Sequence, residues 1–366
     1  MPHYISLLPI IVHSLTWNKA RVKCFTKLVH SFIRNRSVNL TFAATSMTNN
    51  TKRSSEYRKA QRFFEKFNMP ITDIGKFIIS RFSMPKGGWT LAMDRTNWKF
   101  GATHINLLVV GVVIKGMSIP ICWMALPQKN KRGNSNTNQR IEIMQQVLSI
   151  IPATKIDVMT MDREFTGGRW LEWLDDQGVG FIVRIKKSHK LNGVGAQEYR
   201  ALPYSQRTPK VSIWGLDLYF GSKSINRGRD PYLFVVSNKY ESAKALRMYK
   251  KRWSIELLFS HLKKRGFNLE DTHMTDPRKL ESLFGVVTMS FFITYGWGEC
   301  LASATELNAS EKKKSIFRLG LESLLEIFSS AKPSMPVESQ TIDESPPPVS
   351  WCHKTLDLEL NNCLSG

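Results

Sequence analysis

Apolar residues recur at three- and four-residue steps in several parts of the chain, and this spacing predicts helices. The first such run extends from Trp17 to Phe32, and a second, over residues 55–68, interleaves aromatic with basic side chains. Helical patterns return over residues 139–150, 167–178, 242–264 and 277–305. The sequence therefore predicts a helical N-terminal region that precedes every predicted strand.

Between the helical runs, short segments rich in β-branched and aromatic residues predict strands. They read WTLAMD (89–94), INLLVVGVVI (105–114), SIPICWMAL (118–126), KIDVMTMD (155–162) and GFIVRIKK (180–187). The order of three strands, a helix, a strand, a helix and a strand predicts a mixed α/β fold. Residues 190–239 interrupt this order with alternating runs such as VSIWGLDLYF and PYLFVVSN, which predict an all-β insertion.

The charge of the chain narrows the choice of partner. Its 366 residues include 52 Lys and Arg against 30 Asp and Glu, a net charge of +22. An excess of this size favours binding to a polyanion such as nucleic acid or an anionic membrane surface. Residues 1–66 alone carry 12 basic and two acidic residues, which predicts a nucleic-acid contact in this region. The alternative is a solvated basic face over an ordinary helical core.

The sequence disfavours a membrane partner. The opening residues lack the basic n-region of a signal peptide. The uncharged stretch between Glu281 and Glu299 is shorter than the roughly 20 residues that a spanning helix needs. The five cysteines include no CxxC pair, which argues against a zinc site or a disulfide framework. We therefore expect a protein of a reducing cytoplasm with no membrane partner.

Two aspartates, Asp94 and Asp162, stand at the ends of predicted core strands. Carboxylates at strand ends in a mixed sheet lie beside the crevice where ligands and metals bind. Either residue alone is also typical of a turn or a helix cap. Together they indicate a metal site if a third oxygen ligand joins them, because a hard divalent ion needs several.

The helix predicted over residues 242–264 carries a candidate for that third ligand, Glu256. At about 100° per residue, Trp253 borders a stripe roughly 60° wide that holds Tyr249, Arg252, Glu256 and Lys263. A single carboxylate on a basic and aromatic face indicates contact with DNA. The alternative is a salt-bridged surface stripe, because Arg252 and Glu256 are four residues apart and such pairs stabilise helices slightly.

The spacing Tyr249-x2-Arg252-x3-Glu256-x6-Lys263 resembles the Y-R-E-K signature of bacterial insertion-sequence transposases of the IS-four type, which belong to the DDE group. The segments AMDRTNW (92–98) and MDREF (161–165) resemble the first and second acidic motifs of that family. The three motifs occur in the family's order, with a β-rich insert before the third, and cover about residues 88–300.

This resemblance implies a ribonuclease H-like mixed sheet in which the catalytic and metal-binding residues are Asp94, Asp162 and Glu256. The implied cofactor is Mg²⁺, with Mn²⁺ as a substitute, because metal ions can activate the attacking oxygen and stabilise the leaving one in phosphoryl transfer. The implied DNA contacts are Tyr249, Arg252, Trp253 and Lys263.

Three aromatic or acidic positions near these motifs can also be interpreted from the resemblance. Trp253 follows the motif arginine, where some relatives use a tryptophan to stack on a flipped base. Tyr232 is a second candidate stacking surface, with an ordinary strand aromatic as the alternative. Glu164 lies two residues past Asp162, and we interpret it as a neighbour of the metal ligands that binds no metal itself.

The predicted domains follow from these motifs. Residues 1–85 form a helical, basic DNA-binding region, and residues 86–189 with 240–305 form the catalytic core. Residues 190–239 are the β-rich insertion, and residues 306–366 hold a helical segment and a Pro-rich acidic tail.

The predicted function is a DNA transposase that cleaves at the terminal inverted repeats of its own element and joins the 3′ ends to target DNA. The expected partner is double-stranded DNA, bound by a homodimer in a synaptic complex, in a bacterial cytoplasm beside the nucleoid. Two alternatives stay open. In the first, the chain is an inactive or repurposed DNA-binding protein that occupies element ends. In the second, it is a plain ribonuclease H-like nuclease without strand joining.

Overall fold

The computed structural model describes residues 15–47, 51–127, 133–225, 231–304 and 310–330. The predicted Pro-rich tail lies outside these residues. The chain divides into two compact units. One comprises Met1–Ser83, His261–Met274 and Ser282–Gly366, and the other comprises Met84–Ser260 and Thr275–Glu281. The first unit includes residues 282–304, which the predicted domains assign to the catalytic core. The predicted domain boundaries stay a prediction.

Ten strands are described. They are β1 (Trp89–Phe100), β2 (Thr103–Ile114), β3 (Met117–Ala125), β4 (Ile156–Met161), β5 (Phe181–Arg184), β6 (Lys190–Leu191), β7 (Val194–Gly195), β8 (Lys210–Ile213), β9 (Leu216–Ser224) and β10 (Tyr232–Ser237). Eight of them form one sheet in the order β3-β2-β1-β4-β5-β10-β9-β8, and β6 pairs with β7.

The first five strands of the sheet have a mixed topology. β1, β2 and β3 form an antiparallel meander, whereas β4 and β5 run parallel to β1. Residues 105–112 of β2 are buried without interruption, as expected for a strand covered on both faces. The predicted mixed α/β plan is therefore confirmed, and it fits the ribonuclease H-like core that the resemblance implies.

Residues 190–239 extend this sheet. β10 pairs antiparallel with β5, and β9 and β8 follow it outward. The segment also contains the helix α7 (Ala196–Ala201), which buries Ala196 and Tyr199 on one face because the two residues are three positions apart. The prediction of an all-β insertion is therefore wrong in this detail, because the described part of the segment also contains this helix and a 3₁₀ turn over Tyr204–Gln206.

The remaining helices of the sheet-containing unit are α5 (Thr137–Ile150), α6 (Gly168–Asp176), α8 (Ser242–Tyr249) and α9 (Trp253–Ser260). A capping box between Asn136 and Gln139 begins α5, because each side chain accepts a hydrogen bond from the other residue's backbone N–H. Ala245 and Tyr249 of α8 pack on Val158, Ile182 and Val235, and this contact fixes α8 on β4, β5 and β10.

The helix predicted over residues 242–264 is confirmed, because every residue from Ser242 to Arg265 is helical, but its turns are not uniform. A 3₁₀ turn over Lys250–Arg252 separates α8 from α9, and a π-helical segment follows over His261–Arg265. Both irregular turns change the rotation per residue. A uniform rotation of about 100° per residue therefore does not apply between Tyr249 and Lys263. The angles predicted for the stripe are wrong for this reason.

The other unit is helical over its described residues. Its helices are α1 (Lys19–Asn35), α2 (Leu40–Ser46), α3 (Arg53–Lys66), α4 (Ile71–Ile79), α10 (Pro277–Ala304, from Ser282 onward) and α11 (Ile316–Ser330). α10 and α11 approach closely through glycines. A Cβ at Gly320 would lie 2.0 Å from the carbonyl oxygen of Thr294, and one at Gly298 would lie 2.0 Å from that of Ile316. Across the residues with a described conformation, no helix is long and apolar enough to cross a membrane.

Candidate active site

Asp94 and Asp162 lie side by side in the sheet. Met93 of β1 pairs with Met161 of β4, so the two aspartates occupy the next positions of neighbouring parallel strands. The prediction that Asp94 ends its strand is wrong, because β1 continues to Phe100 as the partner of β2. Asp162 directly follows β4, as predicted. The register therefore brings the two predicted carboxylates to one place.

The same register adds Arg184 to this row. Met161 pairs with Val183 of β5, and Arg184 is the next residue. Its guanidinium lies 3.8 Å from Asp162 Oδ1. The row across three strands thus reads carboxylate, carboxylate, guanidinium.

Arg252 connects Asp94 with Glu256. It ends the 3₁₀ turn before α9, where its Nη1 donates to Asp94 Oδ2 at 2.9 Å and its Nη2 donates to Glu256 Oε1. The Arg252 side chain is only 10% exposed. The predicted pairing of Arg252 with Glu256 is present, but it belongs to a partly buried network that includes Asp94 of the sheet. Glu256 thereby joins the neighbourhood of the two aspartates.

Tyr249 reaches the same site from the end of α8. Its ring is buried in the core, and its hydroxyl donates to Asp162 Oδ1 at 3.5 Å. Burial raises the pKa of Tyr249 above its ordinary value, so the phenol keeps its proton. Tyr249 is thus a fixed hydrogen-bond donor at the edge of the site.

Burial dominates the electrostatics of Asp94. It raises the pKa of this carboxyl from 3.8 to about 6, although Arg252 and the backbone N–H of Arg95 lower it. Asp162 and Glu164 add to the rise through their negative charge. Burial alone would lower the pKa of Arg252, but its anionic neighbours raise it above the ordinary value. Arg252 is therefore a permanent cation, and Asp94 still lacks full compensation for its buried charge.

These carboxylates fit a hard divalent cation by their chemistry. Oxygen ligands are what Mg²⁺ and Mn²⁺ prefer, and the incomplete compensation of Asp94 favours added positive charge. As placed, however, no three or more His, Cys, Asp or Glu side chains among the described residues form a metal-binding group. Arg252 accounts for this in part, because its guanidinium occupies the carboxylate oxygens of Asp94 and Glu256.

Two further arginines shape the loop after β4. Arg95 pairs with Glu164 at 3.3 Å, so Glu164 is neutralised by a neighbour of Asp94. The buried Arg140 of α5 donates to the backbone oxygens of Ser135, Glu164 and Thr166. These contacts fix the path of the chain directly after Asp162.

Arg184, which lies 3.8 Å from Asp162, also lines a basic cavity of about 210 Å³. Its cationic lining residues are Arg163, Arg184, Lys186 and Lys187. Tyr232 lines the same cavity, and the guanidinium of Arg200 lies 4.0 Å from its ring centroid. An anionic strand with an aromatic base matches this combination of charge and ring surface.

The last two predicted DNA contacts are Trp253 and Lys263. Trp253 is 52% exposed on α9, so its ring is available to a ligand. Lys263 belongs to the helical unit, where it pairs with Glu270 at 3.0 Å.

Sequence reasoning did not identify Arg95, Arg140 or Arg184 as parts of the site. Arg95 and Arg184 stood beside it in sequence, in DRTNW and at the end of a predicted strand. Their partners became visible only through the strand register. Arg140 carried no local signal apart from its place at the start of a helix.

Comparison with known families identifies a family whose sequence model covers the residues of the sheet and of the site. Residues 85–293 match the sequence model of the family described as "Transposase DDE domain", and this range is more than half of the 366 residues. It contains every residue of the site described above. A comparison with curated proteins finds no significant match.

Proposed function

Because the chain belongs to the transposase DDE domain family, we propose that it cleaves DNA at the terminal inverted repeats of an insertion sequence of the IS-four type. It then joins the freed 3′ ends to target DNA. The observation that carries this proposal is the convergence of Asp94, Asp162 and Glu256 on one network around Arg252 and Tyr249. The side chains of Asp94, Asp162 and Glu256 stay 17%, 30% and 34% exposed, which supports access of a ligand to them.

In this proposal Asp94, Asp162 and Glu256 hold Mg²⁺ or Mn²⁺, ions of the kind that DDE transposases generally use. When bound, such ions supply the activation and charge stabilisation that phosphoryl transfer requires. Cleavage and joining use the same site, because both are in-line displacements at phosphorus. The chain's own residues bind and orient the DNA strand and hold the carboxylates in place.

Under this proposal Arg252 pairs first with two carboxylates and then with a DNA phosphate. Without DNA it neutralises Asp94 and Glu256. When a phosphate enters, the guanidinium donates to it, since phosphate matches the same bidentate geometry as a carboxylate. Tyr249 donates to a neighbouring phosphate oxygen from its buried position.

The DNA strand leaves the site over the basic cavity that Arg184 lines. Arg163, Arg184 and the neighbouring lysines contact its phosphates, and Tyr232 and the exposed Trp253 stack on bases. The basic region 1–85 recognises the element end, and a homodimer brings two ends together. Lys263 adds a phosphate contact outside the sheet-containing unit.

The test uses full-length protein and a duplex that carries the DNA flanking its gene, with Mg²⁺ present. The wild type is expected to nick the duplex at the element boundary and to link the 3′ end covalently to a target plasmid. Asp94→Asn, Asp162→Asn and Glu256→Gln should each lose both products and keep DNA binding. Asp157→Asn is a matched control outside the site. Full activity in any of the three variants would contradict the site assignment.

The products also separate the alternatives. Nicking without any joined product would favour a plain nuclease. Specific binding to the end without metal-dependent nicking would favour a DNA-binding protein that has lost catalysis.

A further inference from the structure

A second cavity lies in the helical unit, in residues outside the family match. It has a volume of about 650 Å³, within the range of pockets that bind small organic ligands. It opens between α1 and α3, and Met47, Thr51 and Phe67 complete its lining.

The rim of this cavity is strongly cationic. Its basic lining residues are Arg21, Lys23, Lys27, Lys59, Arg62 and Lys66. The carboxylate among the described lining residues is Glu56, which is fully buried. Lys59 pairs with Glu56 at 2.8 Å and Lys27 pairs with it at 3.5 Å. The other four cations give the rim an excess of positive charge that suits phosphate groups.

The floor of the cavity is aromatic. Phe63 and Phe67 line it, and their ring centroids lie 5.3 Å apart. The guanidinium of Arg21 covers the face of Phe67, 4.6 Å from the ring centroid. The guanidinium holds the place of a planar group on this face, so a base that stacks there displaces Arg21 and leaves it available to a phosphate. Ala20 and Cys24 add small side chains beside it, which leave room in the cavity.

We propose that this cavity binds one unstacked nucleotide, with its base on the Phe63 and Phe67 floor and its phosphates on the basic rim. A duplex with all bases paired offers only its phosphates to such a site, whereas a single strand or an unpaired end also offers a base. The proposal rests on the proposed function only for the choice of a DNA strand as the source. A free nucleotide has the same chemistry and is the other source.

The experiment measures binding of a fluorescent thymidine oligonucleotide to the full chain and two pairs of variants. Ala20→Phe fills the cavity from an exposed position, and Gln61→Phe adds the same ring on the exposed surface of α3 outside it. Ala20→Phe should weaken single-strand binding roughly fivefold or more, as expected for the loss of one stacked base. Gln61→Phe should leave it unchanged.

The second pair removes two positive charges in each variant. Lys23→Ala with Lys66→Ala alters the rim, and Lys19→Ala with Lys52→Ala alters exposed lysines that do not line the cavity. The rim variant should lower the slope of the salt dependence by about 1.4, because each phosphate contact to a single strand contributes about 0.7, and the control should lower it by less. Because all four lysines are exposed, this pair tests the rim even if Ala20→Phe fails to fold.

Photocrosslinking locates the base. An oligonucleotide with 5-iodouracil should crosslink to Phe63 or Phe67 in the wild type and lose these crosslinks in Ala20→Phe. Crosslinks that survive unchanged in Ala20→Phe, or an equal loss of duplex and single-strand affinity in that variant, would overturn the proposal. Competition by thymidine monophosphate at concentrations near those of the oligonucleotide would identify a free nucleotide as the ligand. Its failure to compete would identify the DNA strand.

The result is independent of catalysis. Asp94→Asn should abolish cleavage and keep the crosslinks to the cavity. If the wild type crosslinks at Phe63 or Phe67 but cleaves no DNA, the nucleotide-binding proposal is supported and the proposed function is contradicted.

Discussion

The ion pair between Arg252 and Asp94 allows a quantitative prediction of the free energy of unfolding. The Arg252 side chain is 10% exposed and that of its partner Asp94 is 17% exposed, so water screens this ion pair only weakly. Breaking such a pair by removing one partner costs about 3–5 kcal/mol, because the other charge stays buried without a partner. Arg252→Met keeps most of the apolar stem and removes the charge. We expect it to lower the free energy of unfolding without metal by about this amount.

The pH dependence of this loss follows from Asp94. The pKa of its carboxyl is raised in the folded protein to about 6, so stability is greatest where the group is protonated and falls as pH rises through that value. Removal of Arg252 raises this pKa further. The difference between variant and wild type should therefore be largest above pH 6 and should shrink in more acidic solution.

The assay is urea unfolding followed by circular dichroism, with and without Mg²⁺. Mg²⁺ should stabilise Arg252→Met more than the wild type, because it replaces the missing positive charge. Arg169→Met removes an exposed arginine of α6 and is the matched control. A loss below about 1 kcal/mol for Arg252→Met, or an equal loss for both variants, would refute the role of Arg252 as the counter-ion of Asp94.

Three further predictions concern other parts of the chain. Gly320→Ala should destabilise the protein by about 1–3 kcal/mol in the same assay, because the added Cβ meets the backbone of α10. Gly296→Ala adds its Cβ in open space and should be neutral or stabilising, and equal effects of the two variants would contradict the close packing. Burial and Arg265 lower the pKa of His261 to about 4, so the free energy of unfolding should fall as pH drops from about 6.5 to 4. His261→Phe should reduce this pH dependence, and an unchanged dependence would refute the role of His261. Arg140→Met should slow DNA cleavage and leave the oligonucleotide affinity of the helical unit unchanged, and unaltered cleavage would show that the loop after β4 needs no such support.

The fold was predictable where local pattern and tertiary structure agree. The five core strands coincide with β-rich runs, and the long apolar pattern near 277–305 became α10. The extension of β1 through RTNWK was missed, although buried Thr96 and Trp98 alternate with more exposed neighbours there. The pairing of β10 with β5 could not be predicted, because it joins segments about 50 residues apart that carry no local mark of each other.

The site, too, has features that local sequence predicts and features that only the tertiary structure provides. The residue types and spacing of Asp94, Asp162 and Glu256 were visible in the sequence, and the structure brings them into one network. The 3₁₀ turn before α9 and the π-helical segment after it have no glycine or proline to predict them. Arg252 as a bridge between Asp94 and Glu256 therefore required the three-dimensional arrangement, since its Asp94 contact spans 158 residues of sequence.

The central claim is that Asp94, Asp162 and Glu256 form one divalent-metal centre and that Arg252 leaves it when DNA binds. Anomalous diffraction from crystals of the protein with Mn²⁺ and an element end tests both parts together. We predict Mn²⁺ peaks in contact with these three carboxylates and the Arg252 guanidinium on a DNA phosphate. Mn²⁺ bound elsewhere, with Arg252 still paired to Asp94 in the DNA complex, would contradict the account.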